Sequence, residues 1–330
     1  MKERILITGA SGFIGFHLIE AALRRGLAVY AAVREDSEVR HLKGYDIEFC
    51  ELTYRNVSLL TKQLEAIGCQ YIIHAAGATR AASQEAFDTI NAVYAANLAR
   101  AATQAFGNKL LKFIFISSLA AIGPLNTRDG IITEEAVPVP VTAYGRSKLL
   151  AESRLLKLPN LPLIILRPTA VYGPREKDIL IVLKAISRGM EAYIGRVEQQ
   201  LSFVYVKDLA SVAISALFSG QSNSAFNISD GRYYGQYELA EFSKQILNRK
   251  TWRLHIPQRM IKTLAVAMET VYGWRGKTPV LNVEKLQELT AVNWYCSIDK
   301  AKTELGFHPQ YALEQGLRET LEWYRQHKWI

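Results

Sequence analysis

The sequence predicts an α/β protein built on a doubly wound parallel sheet, with a smaller mixed α/β lobe in its second half. Three observations carry that expectation. Short β-branched runs alternate with longer helical patterns as far as Arg167, which is how βαβ units read along a chain. A glycine-rich junction, Gly9 to Gly15, joins the first such run to the first helical pattern. Beyond Arg167 the alternation gives way to mixed short elements.

Strands are expected at Arg4 to Thr8, Ala28 to Val33, Ile47 to Glu51, Tyr71 to His74, Leu111 to Ser117 and Leu163 to Arg167. Helices fill the gaps. After Gly12, Ile14, Leu18, Ala21 and Ala22 form an apolar face opposite Arg24 and Arg25, and Gly26 ends the pattern. Ser83 to Phe106, rich in alanine, reads as one long helix whose small residues permit close approach, and Ala143 to Leu158 reads as another, stopped by Pro159. In the second half, helices are expected at Ile179 to Arg188, Asp208 to Phe218, Tyr237 to Asn248 and Leu313 to Gln326. No linker or repeat separates the halves, so residues 1–170 are expected to form a dinucleotide-binding domain and 171–330 a substrate lobe partly interleaved with it.

Composition narrows the function classes. With 330 residues, 49% hydrophobic and 22% charged, the chain can bury a large core, and disordered, collagenous and mini-protein readings fall away. No apolar run approaches the roughly 20 residues that span a bilayer. The opening MKERILITGASGFIGF has a basic head and an apolar run, but its glycines and the lack of a small-residue cleavage site argue against a secretory signal. Cys50, Cys69 and Cys296 stand apart without metal-ligand spacing, so neither a disulfide framework nor a zinc site is expected, and a cytoplasmic location is. The net charge of +9 is mostly C-terminal: residues 1–165 carry 18 Lys+Arg against 15 Asp+Glu, and residues 166–330 carry 22 against 16. That balance suits nucleic acid, an anionic membrane surface or a phosphate-bearing ligand, and alone does not choose among them.

Thr8-Gly9-Ala10-Ser11-Gly12-Phe13-Ile14-Gly15 lies where a Rossmann-type sheet binds a dinucleotide pyrophosphate. Gly9 permits a tight turn, Gly12 a close approach of backbone to phosphate, and Gly15 a helix lying close on the sheet. Ser11, Phe13 and Ile14 complete the loop. The second strand sets the cofactor. Sites that prefer NAD usually end it with an acid for the ribose hydroxyls, whereas this one ends Val33-Arg34. A guanidinium there can grip a 2′-phosphate, so NADP is preferred, with NAD possible if Glu35 or Asp36 takes the ribose.

Tyr144-Gly145-Arg146-Ser147-Lys148 puts a phenol and an ammonium four residues apart, on one face of a helix. A phenol with a pKa of about 10 is a weak acid or base at neutral pH, and a nearby ammonium would lower that value. With 16 tyrosines such a pair arises about once by chance, so context must decide. Upstream, LKFIFISSLAAIG (Leu111 to Gly123) is a buried strand delivering Ser117 and Ser118 at its C-terminal end, the ligand-binding end of such sheets.

Taken together, TGASGFIG, HAAG (His74 to Gly77), ISSLAAIG, YGRSK, RPTAVYGPR (Arg167 to Arg175), FVYVKDLA (Phe203 to Ala210), KAKTELGF and LEQGLRETLEWY resemble an extended short-chain dehydrogenase/reductase, of the NAD-dependent epimerase/dehydratase superfamily, from residue 4 to about 325. The resemblance implies that Tyr144 is the general acid/base, that Lys148 holds the nicotinamide ribose and tunes Tyr144, and that Ser118, five residues before Gly123, hydrogen-bonds the reacting oxygen, with Ser117 capping the strand. It also implies that Ala75, Ala76 and Gly77 flank the dinucleotide, that Asn91 orders a helix beside the site, and that Pro168 to Val171 line the nicotinamide. Glu51, with Leu52, stands where many relatives have an aspartate near adenine. In similar proteins the Ser83 to Phe106 and Ala143 to Leu158 helices form a two-fold interface, which implies a homodimer.

The second lobe bears on the substrate. Many nucleotide-sugar enzymes of this kind place an arginine two residues before the aromatic that opens the FVYVKD-like strand, where this chain has Leu201; Arg175, Arg188, Arg196 or Arg232 could compensate. The VYAAVRE strand and the segment Trp252 to Trp274 resemble the dihydroflavonol-reductase and 3β-hydroxysteroid-dehydrogenase branch. In that segment Ile256, Met260, Ile261, Leu264, Val266, Met268 and Val271 alternate with Arg253, Arg259 and Lys262, fit to cover an apolar substrate, to lie on a membrane surface or to pack on the lobe. A small-molecule carbonyl reductase, rather than a nucleic-acid binder, is the leading expectation. A nucleotide-sugar epimerase or dehydratase is the alternative, and a non-catalytic NADP sensor ranks below both.

Overall fold

The structure is a computed structural model that describes residues 2–273 and 282–330. Trp274 and the side chain of Val271 lie outside the described residues. The chain runs β1 (Arg4–Thr8), α1 (Phe13–Arg24), β2 (Ala28–Ala32), β3 (Ile47–Cys50), α2 (Val57–Ile67), β4 (Tyr71–His74), α3 (Gln84–Asp88), α4 (Tyr94–Phe106), β5 (Lys112–Ile116), α5 (Ala143–Leu156) and β6 (Leu163–Pro168). It continues through β7 (Ala170–Tyr172), α6 (Asp178–Ser187), β8 (Met190–Ile194), β9 (Phe203–Tyr205), α7 (Val206–Leu217), β10 (Ser224–Ile228) and α8 (Glu238–Leu247). It ends with β11 (Trp252–Ile256), α9 (Gln258–Gly273), α10 (Val283–Thr290), α11 (Asp299–Leu305) and α12 (Leu313–Gln326).

Seven parallel strands form the central sheet in the order β10-β6-β5-β4-β1-β2-β3. The order reverses beside β1, between β1 and β4, which opens a crevice at their C-terminal ends. Alternation along each strand feeds two cores: Ile5, Ile7, Ile114 and Ile116 face α1 and α7, while Leu6, Phe113 and Phe115 face α2, α4 and α5. Both faces are covered, so the strands read as continuous apolar runs rather than as alternating ones.

The second half adds β10 to the main sheet and α7 beside α1, and gathers the rest around a separate core of Tyr172, Leu183, Tyr205, Leu317 and Tyr324. Two parallel pairs, β7 with β9 and β8 with β11, sit in this part. The expected long helix from Ser83 contains a π-helical turn, Thr89–Val93, between α3 and α4. Its cause is local. Asn91, on that turn, accepts the Ala78 N–H at 2.7 Å and donates to the Ala78 carbonyl at 3.0 Å, so the helix widens where it is tied to the loop after β4.

Candidate active site

The ends of β1 and β4 and the first turn of α1 form one cradle. Gly9 holds a left-handed φ of +69°, and the Gly12 N–H donates to its carbonyl at 3.0 Å. A Cβ at Gly9 would lie 2.8–2.9 Å from the backbone of Ala75 and Ala76, and one at Gly15 would strike the Gly9 carbonyl. Glycine is therefore required for strand, helix and the Ala75–Gly77 stretch to meet so closely. No side chain caps α1, which leaves its first amides and the positive end of its dipole for an anion. Ser11, Phe13 and Ile14 are half-buried around that end. Thr8 locks the neighbouring strands: its hydroxyl accepts the Ala76 N–H at 3.1 Å and lies 2.7 Å from His74 Nδ1. Burial, with repulsion from Lys148 second, pushes His74 down to about 3, so this imidazole is neutral at any ordinary pH.

Farther out, Arg34 follows β2 at the surface, its Nε 3.3 Å from Asp36 and its backbone N–H on Ser37 Oγ. Glu51 and Leu52 follow β3. Glu51 is exposed with its carbonyl accepting from Gln63, and Leu52 packs on the core beneath α2 and α4. Pro168 closes β6, and Val171 lies in β7 against the core of α1 and α7.

The second group of residues sits at the C-terminal end of β5. Ser118 caps a single 3₁₀ turn, Leu119–Ala121, by accepting the Ala120 N–H at 3.2 Å. α5 lies against that turn. Thr142 caps the helix by accepting the Gly145 N–H at 3.0 Å, and a Cβ at Gly145 would collide with the Ala120 carbonyl, so Gly145 is what lets α5 come this near. Tyr144 and Lys148 face the same side, and Ser118 stands near enough to the Tyr144 phenol to favour its ionised form. Lys148 Nζ donates to the Ile116 carbonyl at 2.8 Å, 4.8 Å from the Phe115 ring centroid and 6.0 Å from that of Tyr144. A Cβ at Gly77 would lie 3.4 Å from Nζ and 3.0 Å from Asn91 Oδ1, so cradle and ammonium adjoin.

Burial governs the protons here. It pushes Tyr144 up to about 12, against the opposing pull of the Ser118 hydroxyl and with the Glu288 carboxylate adding to the rise. It brings Lys148 down to about 8, with Glu152 pulling the other way. The lowering of the phenol pKa by a nearby ammonium, expected from the four-residue spacing, is not what the fold produces: desolvation dominates, and Lys148 Nζ is directed to the Ile116 carbonyl.

Sequence reasoning missed the support beneath this group. Ser117 donates to Glu152 Oε1 at 2.5 Å, and Glu152 accepts from Arg167 Nη2 at 2.6 Å, all three buried. Ser117 is thereby committed to the core, while Ser118 faces the phenol. The spacing Lys148-x-x-x-Glu152 carried a signal for this network, since residues four apart share a helix face. Asn91 Nδ2 also reaches Ser147 Oγ at 2.9 Å, joining the π-helical turn to α5. α10 touches the site as well: Glu284 accepts the Ala143 N–H at 2.6 Å and pairs with Arg146. Among the described residues no group of three or more His, Cys, Asp or Glu could hold a metal ion, and no helix is long and apolar enough to cross a membrane.

Residues 5–229 match the NAD dependent epimerase/dehydratase family. The chain belongs to that family. Its motif resemblance to the extended short-chain dehydrogenase/reductases is thereby borne out, as is the doubly wound fold. The chain is 26% identical to a UDP-glucose 4-epimerase of Vibrio cholerae, covering 99% of this chain and 97% of that one. It is 25% identical to a ceramide reductase of Caulobacter vibrioides over 99% and 96% of the two chains, and 27% identical to a putative dihydroflavonol 4-reductase of Synechocystis over 100% and 97%. Among solved structures, gox2253 superimposes with a TM-score of 0.81 at 26% identity over the whole of both chains. A UDP-glucuronic acid 4-epimerase from Bacillus cereus, in complex with NAD, has the same fold, with a TM-score of 0.77 at 21% identity over 98% of this chain and 99% of that one. The family spans epimerases, dehydratases and reductases, and its members are NAD-dependent enzymes.

Proposed function

We propose that the protein is an NAD(P)-dependent oxidoreductase that reduces a carbonyl, or oxidises the corresponding secondary alcohol, with Ser118, Tyr144 and Lys148 as its catalytic residues. The observation that carries this reading is the meeting of three groups at one sheet end: the Tyr144 phenol near Ser118, the buried Lys148 ammonium, and the glycine cradle. The cradle fits a dinucleotide, since it pairs an uncapped helix N-terminus with strand ends packed too closely for any side chain. Bound there, against Ala75 to Gly77, Pro168 and Val171, a nicotinamide dinucleotide supplies or accepts hydride. The chain's own residues manage the proton. Tyr144 Oη, held protonated by burial, is the donor to the developing alkoxide, and the Ser118 hydroxyl steadies that oxygen by hydrogen bonding. Lys148 Nζ holds a positive charge beside the phenol, which favours the phenolate left behind.

An apolar carbonyl is the substrate class we infer. Leu201, where a diphosphate-binding arginine stands in many nucleotide-sugar enzymes, packs on the core of the second lobe and pairs its backbone with Tyr234. Arg175 is held between the Phe16 ring, at 4.1 Å, and the Trp323 ring, at 5.4 Å. The similarity to the Vibrio cholerae epimerase favours a second reading, in which the same residues oxidise and then reduce a sugar with no net cofactor consumption.

The test offers the enzyme and NADPH or NADH a panel of apolar aldehydes and ketones, and separately UDP-, GDP- and dTDP-sugars, following absorbance and product stereochemistry. Net oxidation of reduced cofactor by an apolar carbonyl is expected. Tyr144→Phe should then cut turnover by about 10² to 10⁴ while cofactor binding stays within twofold or so. A sugar epimer formed at constant cofactor would replace this reading with the second one.

A further inference from the structure

We propose that the outer face of the two-stranded β8/β11 sheet docks the protein on an anionic phospholipid bilayer. The pairing register places Met190 beside Trp252, Ala192 beside Leu254 and Ile194 beside Ile256. The alternate residues of the same strands face inward. Glu191 is tied to Lys244 of α8, Arg253 to Glu241 of α8, and Tyr193 and His255 pack edge-on against Tyr237. With that face committed, the apolar set must point away from the lobe, and it does: Trp252 is 88% exposed, Leu254 60% and Met190 58%. A sheet face made wholly of apolar side chains, with a tryptophan almost fully in solvent, is not how a water-facing surface is built. α9, which follows after Pro257, adds exposed Met260 and Leu264 one turn apart.

Charge identifies what covers this face. Between residues 184 and 196 and between 249 and 262 the chain carries, besides the inward-tied Arg253, seven Lys and Arg and a single carboxylate, Glu191, which points inward. Arg188, Arg249, Lys250, Arg259 and Lys262 are exposed, and none has an ion pair among the described residues. Gly189 joins Arg188 to β8, and its carbonyl accepts the Trp252 N–H at 2.8 Å, which fixes the Arg188 and Lys250 ends of the strands beside the tryptophan. An apolar patch with an interfacial Trp and a cationic rim matches the layering of a bilayer whose headgroups are anionic. A second copy of the chain matches less well, since a two-fold contact through this patch would bring like charges together.

The experiment is co-sedimentation of the whole protein with vesicles of phosphatidylcholine alone and of phosphatidylcholine mixed with phosphatidylglycerol. Binding to the mixed vesicles, weakened by salt and small on the neutral ones, is expected. Arg249→Gln and Lys250→Gln should each reduce it about fivefold. The double variant Trp252→Glu with Leu254→Glu should abolish it, with a melting temperature kept near the parent's because both side chains are already in solvent. No sedimentation with anionic vesicles, equal sedimentation with both kinds, or full binding by the double variant would overturn the proposal. So would a concentration-dependent dimer that the double variant dissociates, which would assign the face to self-association.

Discussion

Arg34 and Asp36 form an exposed pair at the end of β2, and such pairs are worth about 0–1 kcal/mol. A guanidinium so weakly held is available to a 2′-phosphate, whose charge-assisted hydrogen bonds are stronger. NADPH is therefore expected to bind more tightly than NADH, and Arg34→Glu to weaken NADPH by roughly ten- to a hundredfold while sparing NADH. Fluorescence titration of both cofactors measures this, and equal affinities would move the ribose contact to Glu35 or Asp36. At this scale the sequence is informative where chemistry is local. The Tyr144/Lys148 spacing and the three glycines can be read directly, because helix geometry and steric permission act over a few residues. The Ser117, Glu152 and Arg167 network cannot, because it joins β5, α5 and β6, and neither can the rise of Tyr144 to about 12, which is set by burial that only the assembled fold creates.

One buried charge, Glu191, ties the β8/β11 pair to α8. Burial opposes ionisation of Glu191, yet hydrogen bonds from Lys244, Thr251, Arg253 and Tyr193 together hold its carboxyl down at about 2. A carboxylate lowered from 4.5 contributes stability that is fully present above about pH 4.5 and is lost as the pH falls through about 2, a contribution of about 3 kcal/mol. Glu191→Gln is expected to lose about that much at pH 7, and urea unfolding at several pH values should show the gap between variant and parent closing in acid. Sequence patterning finds the long or fully buried elements, such as α12 and β4, at their observed limits. It does not find β8 and β11, whose apolar residues face outward and so mimic a surface segment, nor the π-helical turn, whose cause is a tie from Asn91 to a residue thirteen positions away.

For the molecule as a whole, the parallel sheet and its two covered faces follow from the βαβ alternation and the unbroken apolar runs, both of which are legible in the amino-acid sequence. Assembly is less directly written. Most of α4 is already buried within one chain, but Leu156 on α5 is half exposed, with Leu149 and Leu150, about two turns earlier, partly so. We propose that a homodimer covers this helix pair. Light scattering at micromolar concentration should give twice the chain mass, and Leu156→Glu should shift it toward one; a monomeric parent would remove the idea.

The order of the strands also bears on how the protein comes into being. β6 is flanked by β5 on one side and on the other by β10, a strand the ribosome delivers long after it. Until then the nascent polypeptide holds Leu163–Pro168, every side chain of which is buried in the finished sheet, as a raw border with open amides and carbonyls. An open edge of that kind favours sticking to neighbours. A truncated product ending at residue 170 is accordingly expected to pellet when expressed, although it contains the whole glycine cradle and the Ser118, Tyr144 and Lys148 group, and centrifugation of lysates from the two expressions reads the difference.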